Sequence, residues 1–433
     1  MTYHPVVDRF VAPVPLDPLS ATLFVAAFAA AALIAARRPV YGLAALILVT
    51  PIDFVHEIFG TTITLPKTVL LGVLLGCATY AGCGALLRRR PAPLLLGALG
   101  LLFFVTALTA IGAAHRGLVI REALKVAQYA AVFIAAFLAY SLDPEDGPPL
   151  CAVAVAAIVV ALSALAQEIL GAPSGLFIGP AIVPRIAGLL EGPNQLAAYC
   201  EIAVATLGAW ALVRRSLLID AALALAVFAD VLTFSRAGWV ALAVVAAVLV
   251  LAGGRRAWPA LRPGLAGLLA GIAGAAFWGF YARTPGILRA SLEASAYAGG
   301  VGNRNELWGA AWRMWLAHPL IGVGAGNFEL LLPAYGLLGV RTHANSWYLQ
   351  VLAEGGILLF AATIALLVAI VTGLRAGPWQ RLRDASPWRL AALAATVALA
   401  LHQTVDYLVF YPKVGGGWWL LIGTAAAALA AGK

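Results

Sequence analysis

The passage NRNELWGAAWRMWLAHPLIGVGAGNFELLLPAYGLLGVRTHANSWYLQVLAE, Asn303 to Glu354, is the one long polar, Trp-rich and Gly-rich stretch in this chain. Everything on either side of it is a succession of apolar runs of about twenty residues, the length a helix needs to cross a bilayer. With 63% hydrophobic and only 11% charged residues over 433 positions, the composition lies far from that of a soluble domain. A transmembrane barrel would show alternating segments of about ten residues, and that pattern is absent. The expected fold class is therefore an all-α polytopic membrane protein.

The net charge of +9 is spread as short basic clusters between apolar runs. That distribution is topogenic, and nucleic acid is not expected as a partner. Cys77, Cys83, Cys151 and Cys200 lie in or beside apolar runs, with no zinc-ligand spacing, and read as small buried hydrophobes. The N-terminal MTYHPVVDRFVAPVP has neither a basic n-region nor a small-residue cleavage pattern, so no cleavable signal peptide is expected.

Candidate spans fall at 18–36, 40–58, 66–87, 91–113, 122–141, 150–170, 195–213, 216–233, 237–253, 262–283, 346–374, 388–408 and 414–431. Pro51, Asp53, His56 and Glu57 mark the second as short or bent, and about twelve crossings are expected. Arg37-Arg38, Arg88 to Arg90, Arg214-Arg215, Arg255-Arg256 and Arg375 to Arg389 occupy every second connection, which the positive-inside rule makes cytoplasmic. The alternate connections, 284–345 among them, are then extracytoplasmic. The chain reads as a single integral membrane domain over 1–433, with 284–345 as its one larger outer loop.

Arg116, Arg121, Arg185, Arg236, Arg304 and Arg341 sit on the side where topology gives no reason for arginine. One such residue can snorkel to headgroups; several on one face point to an anionic substrate, and the guanidinium fork suits phosphate oxygens. Pro193-Asn194 marks a helix start with its N-terminus facing outward, a ready anion site. In Thr233-Phe-Ser235-Arg236, Ser235 can cap the next helix, which leaves Arg236 in a first turn where the macrodipole disfavours a cation. Trp308, Trp312 and Trp315 give the segment from Arg304 to His318 the look of an interfacial helix. The glycines of His318-Pro-Leu-Ile-Gly322-Val-Gly324-Ala-Gly326 miss the dinucleotide spacing and read as a tight turn. His343, at the water–membrane boundary, is the candidate general base. No spaced set of metal ligands is present, and no nucleophile elbow supports a serine triad.

Taken together, FSRAGW around Arg236, the Arg185–Asn194 segment, and Arg304…Trp308…HPLIGVGAGNF…His343-ANSWYLQVLAEGG resemble the O-antigen ligase and polymerase superfamily of bacterial inner membranes. The resemblance covers residues 180–360 by motif. It implies a GT-C-like helical fold, an undecaprenyl-pyrophosphate-linked O-antigen donor, His343 as the catalytic residue and Arg236, Arg304 and Arg185 as its pyrophosphate ligands. Arg341, Asn194, Arg121 and Arg116 are secondary candidates. The expected reaction is inverting, cofactor-free and metal-independent transfer to lipid A–core at the periplasmic face of the inner membrane. An O-antigen polymerase, a protein O-oligosaccharyltransferase and a flippase or transporter are the alternatives.

Overall fold

A computed structural model describes residues 14–52, 54–58, 61–82, 92–170, 185–281, 304–374 and 386–431. Asp53, Cys83, Arg88 to Arg90, the 284–303 part of the long connection and Arg375 lie outside the described residues. The chain is helical almost throughout, and fourteen of its helices carry the argument. They are α1 (Pro18–Arg37), α2 (Pro39–Val49), α3 (Leu65–Ala81), α4 (Pro93–Leu108), α5 (Arg116–Leu142), α6 (Gly147–Leu170) and α7 (Pro193–Ala211). The rest are α8 (Leu217–Leu232), α9 (Arg236–Gly253), α10 (Ala257–Tyr281), α11 (Arg304–Ala317), α12 (Trp347–Leu374), α13 (Pro387–His402) and α14 (Pro412–Ala430). Local chemistry sets their starts. Proline stands at the head of α1, α2, α7, α13 and α14, where its missing N–H costs nothing. Asp17, Ser216 and Ser235 accept amide protons from the first turns of α1, α8 and α9.

Small residues let these helices meet closely. A Cβ on Gly72 or Gly76 of α3 would lie 2.5 Å from the Phe28 or Ala32 carbonyl oxygen of α1. This is the small-xxx-small device by which apolar helices associate without a hydrophobic driving force.

The described basic connections gather at one end of the bundle. Arg38 pairs with Asp143 and Glu145, Trp388 donates to Asp146, and Leu212 packs on Gly253. The alternate connections meet at the other end, through Arg185 with Thr233, Asn194 with Asp406 and His115 with Asn327. Within the bundle α10 runs alongside α8 in the same direction, Gly264 near Leu223 and Gly271 near Val231. The 254–256 turn therefore reverses the chain, and the runs 237–253 and 262–283 are separate passes.

By length and composition six described stretches can cross a membrane: 18–37, 93–111, 116–142, 147–167, 236–277, which the 254–256 turn divides into α9 and α10, and 347–374. Helices α2, α3 and α13 are apolar but shorter, and α7 and α8 carry the buried carboxylates Glu201 and Asp230. The run at 40–58, expected to be short or bent, is no continuous helix. Pro51 ends α2 after eleven residues, about 16 Å of rise. Val55–Ile58 then forms a hairpin with Thr61–Thr64 and pairs in parallel with Val14–Pro15. That pairing brings residues 55–58 level with the N-terminal end of α1. The run thus travels the length of α1 half as helix and half as extended chain.

Candidate active site

Three arginines converge where short connections turn from one helix into the next. Phe234 adopts φ +51°, a left-handed conformation costing about 1–2 kcal/mol for a residue with a Cβ. The kink lets the chain pass from α8 to α9 in three residues, with Thr233 Oγ1 accepting from the Ser235 amide at 3.1 Å. Arg236 is thereby fixed as the first residue of α9. Arg185 stands beside this turn, its Nε donating to the Thr233 carbonyl at 2.6 Å and its Nη2 to Asn194 Oδ1 at 2.7 Å. Burial pushes the Arg185 guanidinium down to about 10, Asp406 opposes the shift, and the charges of Arg304 and Arg236 add to it. Arg236 and Arg304 thus both act on Arg185, and Arg236 stands at the N-terminus of α9. Like charges gathered at a positive dipole end suit an anion with several oxygens.

Asp406 was hidden inside the apolar run 388–408. It is 2% exposed, and Asn194 Nδ2 donates to its Oδ2 at 2.5 Å while the Tyr407 amide donates to its Oδ1 at 2.7 Å. Asn194 therefore links Arg185 to Asp406. The visible signal was the polar break Gln403-Thr404-Val405-Asp406 between two apolar helices.

His343 lies half-buried in the connection before α12. Its Nδ1 accepts from the Asn345 amide at 3.2 Å, with Asn345 held at φ +49°, and its Nε2 faces the Tyr411 hydroxyl at 3.3 Å. In the neutral ring the proton therefore rests on Nε2, because Nδ1 is already an acceptor. The rings of Tyr407 and Tyr411 meet the imidazole edge-on, with centroids at 5.9 and 6.2 Å. Burial holds the imidazole below its ordinary range; Asp406 works against this and Arg304 adds to it. Burial also raises both phenols, so they stay protonated as donors. Neither tyrosine was picked out from the sequence. The connection is pinned on three sides: the Ala344 amide to Gln350 Oε1 at 2.7 Å, Trp308 Nε1 to the Asn345 carbonyl at 3.4 Å, and the Trp347 amide to the carbonyls of Gln403 and Asp406 at 2.9 and 2.8 Å.

Arg341, Arg116, Arg121 and His318 are exposed, whereas Arg185, Arg236, Arg304 and His343 are half-buried. The Gly322–Phe328 segment is the tight turn its glycines suggest. A Cβ on Gly322, at φ +63°, would collide with the backbone of Glu354, and Asn327, fully buried, holds His115 through amide and carbonyl bonds of 2.9 and 3.3 Å. Helix α11 buries Leu307, Ala310, Ala311 and Met314 and turns Trp312 outward. Among the described residues no three His, Cys, Asp or Glu side chains gather as a metal site.

Residues 221–364 match the family model described as O-antigen ligase. No curated protein matches the chain. That segment carries Arg236, Arg304 and His343, and by it the chain is similar to the O-antigen ligase family.

Proposed function

We propose that this protein is an O-antigen ligase, moving O-antigen polysaccharide from undecaprenyl pyrophosphate to a sugar of lipid A–core. The observation that carries the reading is the convergence of Arg185, Arg236 and Arg304 beside His343 and Asp406 at one end of the bundle. In this reading the fold is a single GT-C-like domain with about twelve crossings in the bacterial inner membrane. The arginine-bearing end then faces the periplasm and α11 lies in the interface.

The acceptor hydroxyl oxygen attacks the anomeric carbon as the bond from that carbon to the pyrophosphate oxygen breaks, with inversion. The electron pair leaves with the undecaprenyl pyrophosphate, whose charge the three guanidiniums stabilise. The hydroxyl proton passes to His343. Acceptance at Nε2 requires the other tautomer, with the acceptor hydroxyl taking the place of the Tyr411 hydroxyl at Nε2 and the Asn345 amide released from Nδ1. Both bonds to be exchanged exceed 3.1 Å and are weak. No step needs a metal or cofactor.

The test is transfer by purified protein in detergent with EDTA, given an undecaprenyl-pyrophosphate glycan and, in separate reactions, lipid A–core, a second lipid-linked glycan or a pilin-like protein. Product on lipid A–core is expected. His343→Ala should slow it by roughly 10²–10⁴-fold while donor binding persists. Arg236→Ala or Arg304→Ala should cost on the order of 10²–10³-fold and weaken donor binding as well. Product only on another acceptor would reassign the enzyme to polymerase or protein glycosyltransferase, and none on any acceptor would overturn the reading.

A further inference from the structure

Behind the site, inside the bundle, lies a second set of ionisable groups that the transfer chemistry leaves unused. Glu201 of α7 and His402 at the end of α13 are both without exposed side-chain surface, and Glu201 Oε1 stands 2.5 Å from His402 Nδ1. Glu201 Oε2 and His402 Nε2 have no hydrogen-bond partner among the described residues, nor do both carboxylate oxygens of Asp230. Ionisable side chains at such depth are costly and are retained for function far more often than for stability.

Position connects the pair to the site. Asn194 and Glu201 are seven residues apart on α7, two helical turns, and so share one face. His402 and Asp406 are four residues apart, and the Val405 amide donates to the His402 carbonyl at 3.2 Å. The outer members, Asn194 and Asp406, bond each other; the inner members, Glu201 and His402, do the same. The charge of Asp406 acts on both His402 and Glu201. The other groups facing the pair are Arg304 from α11, acting on His402, and Asp230 from α8, coupled to Glu201. Arg185 and His343 face Asp406 from its other side.

We propose that Glu201 and His402 form a buried ion pair that ties α7 to the end of α13 and so holds Asn194 and Asp406, one level outward on the same two segments, in bonding register. Both are positioning residues, because they act on the site only through the Asn194–Asp406 contact. The single proton between them rests on His402 Nδ1, with the anion on Glu201. This proposal rests on the ligase reading for its kinetic consequence but not for its structural one.

The experiment uses the full chain in nanodiscs, with histidine labelled at the imidazole nitrogens with ¹⁵N, and the variants His402→Gln, Glu201→Gln and the double variant. The His402 signals, assigned by their loss in His402→Gln, are expected at doubly protonated positions at pH 7.5 in the parent and at neutral positions in Glu201→Gln. Transfer to lipid A–core is then followed from pH 5 to 9. Each variant should lose at least about tenfold in turnover across this range, the double variant no more than either single one, because the Asn194–Asp406 contact has lost its brace. Undecaprenyl pyrophosphate affinity at pH 8.5 should stay within about twofold. A neutral His402 in the parent protein, or variants that keep the parent's turnover, would overturn the proposal. If the parent protein transfers to no acceptor, the ligase reading fails and the nitrogen spectra still decide the pair.

Discussion

At the residue scale, His343 carries the most consequence. Burial keeps its imidazole below the ordinary histidine range, so the neutral, base-competent ring persists as the pH falls through 6.5. Turnover is accordingly expected to hold level from pH 7.5 down past 6.5 and to fall only below it. A rate profile already half-lost at 6.5 would contradict the environment described. For stability the sign is the same. Between the depressed folded value and 6.5 the unfolded chain binds more protons, so acidification through that window favours unfolding. Asp406 separates charge from position: in Asp406→Asn the side-chain oxygen can still accept from Asn194, but the negative charge beside three arginines is gone. Binding of undecaprenyl pyrophosphate, measured by titration, should tighten while turnover drops by about tenfold or more. The arginines were legible in the sequence because each stands against the charge rule of its side of the membrane. Asp406, Tyr407 and Tyr411 were not, since a short polar break between apolar helices reads as an ordinary turn until a partner 212 positions away closes on it.

Among the elements, the Gly322–Phe328 turn shows what glycines do when they bind no nucleotide. It is a plug wedged between the 109–111 turn after α4 and α12: the Ala325 amide donates to Thr109 at 3.0 Å, the Phe328 amide to Glu354 at 3.2 Å, and the Val323 amide to the Ala353 carbonyl at 3.0 Å. Gly322→Ala places a Cβ against the Glu354 backbone at a left-handed position, and a loss of about 3 kcal/mol is expected in thermal unfolding. Asn327→Ala removes the partner of the part-buried His115 amide, while the His115 carbonyl keeps the Leu118 amide, and should cost on the order of 1 kcal/mol. Hydrogen exchange of amides 323–328 should rise in both. Helix starts were legible from prolines and capping hydroxyls. The half-extended second run was not, because its strand residues pair with Val14–Pro15, more than forty positions earlier, and apolarity alone does not separate strand from helix.

For the whole molecule, the alternation of basic and site-bearing connections is its most testable property. In a cysteine-free background, Leu338→Cys, 82% exposed on the site end, should react with a membrane-impermeant maleimide on intact spheroplasts. Leu217→Cys, 87% exposed beside Arg215 at the basic end, should react only after lysis. The opposite pattern would put the arginine cluster in the cytoplasm and exclude periplasmic transfer. Alternation was readable from charge alone, since the positive-inside rule acts on local clusters.

The Trp347 amide, which reaches the carbonyls of both Gln403 and Asp406, joins the base-bearing segment to the acid-bearing one. His343 and Asp406 thus owe part of their spacing to a single hydrogen atom shared by two carbonyls at the head of α12, beside the contacts of His343 with Tyr411 and of Tyr348 with Ala400. Drawing the last two helices away from α12 therefore loosens base and acid together rather than one at a time.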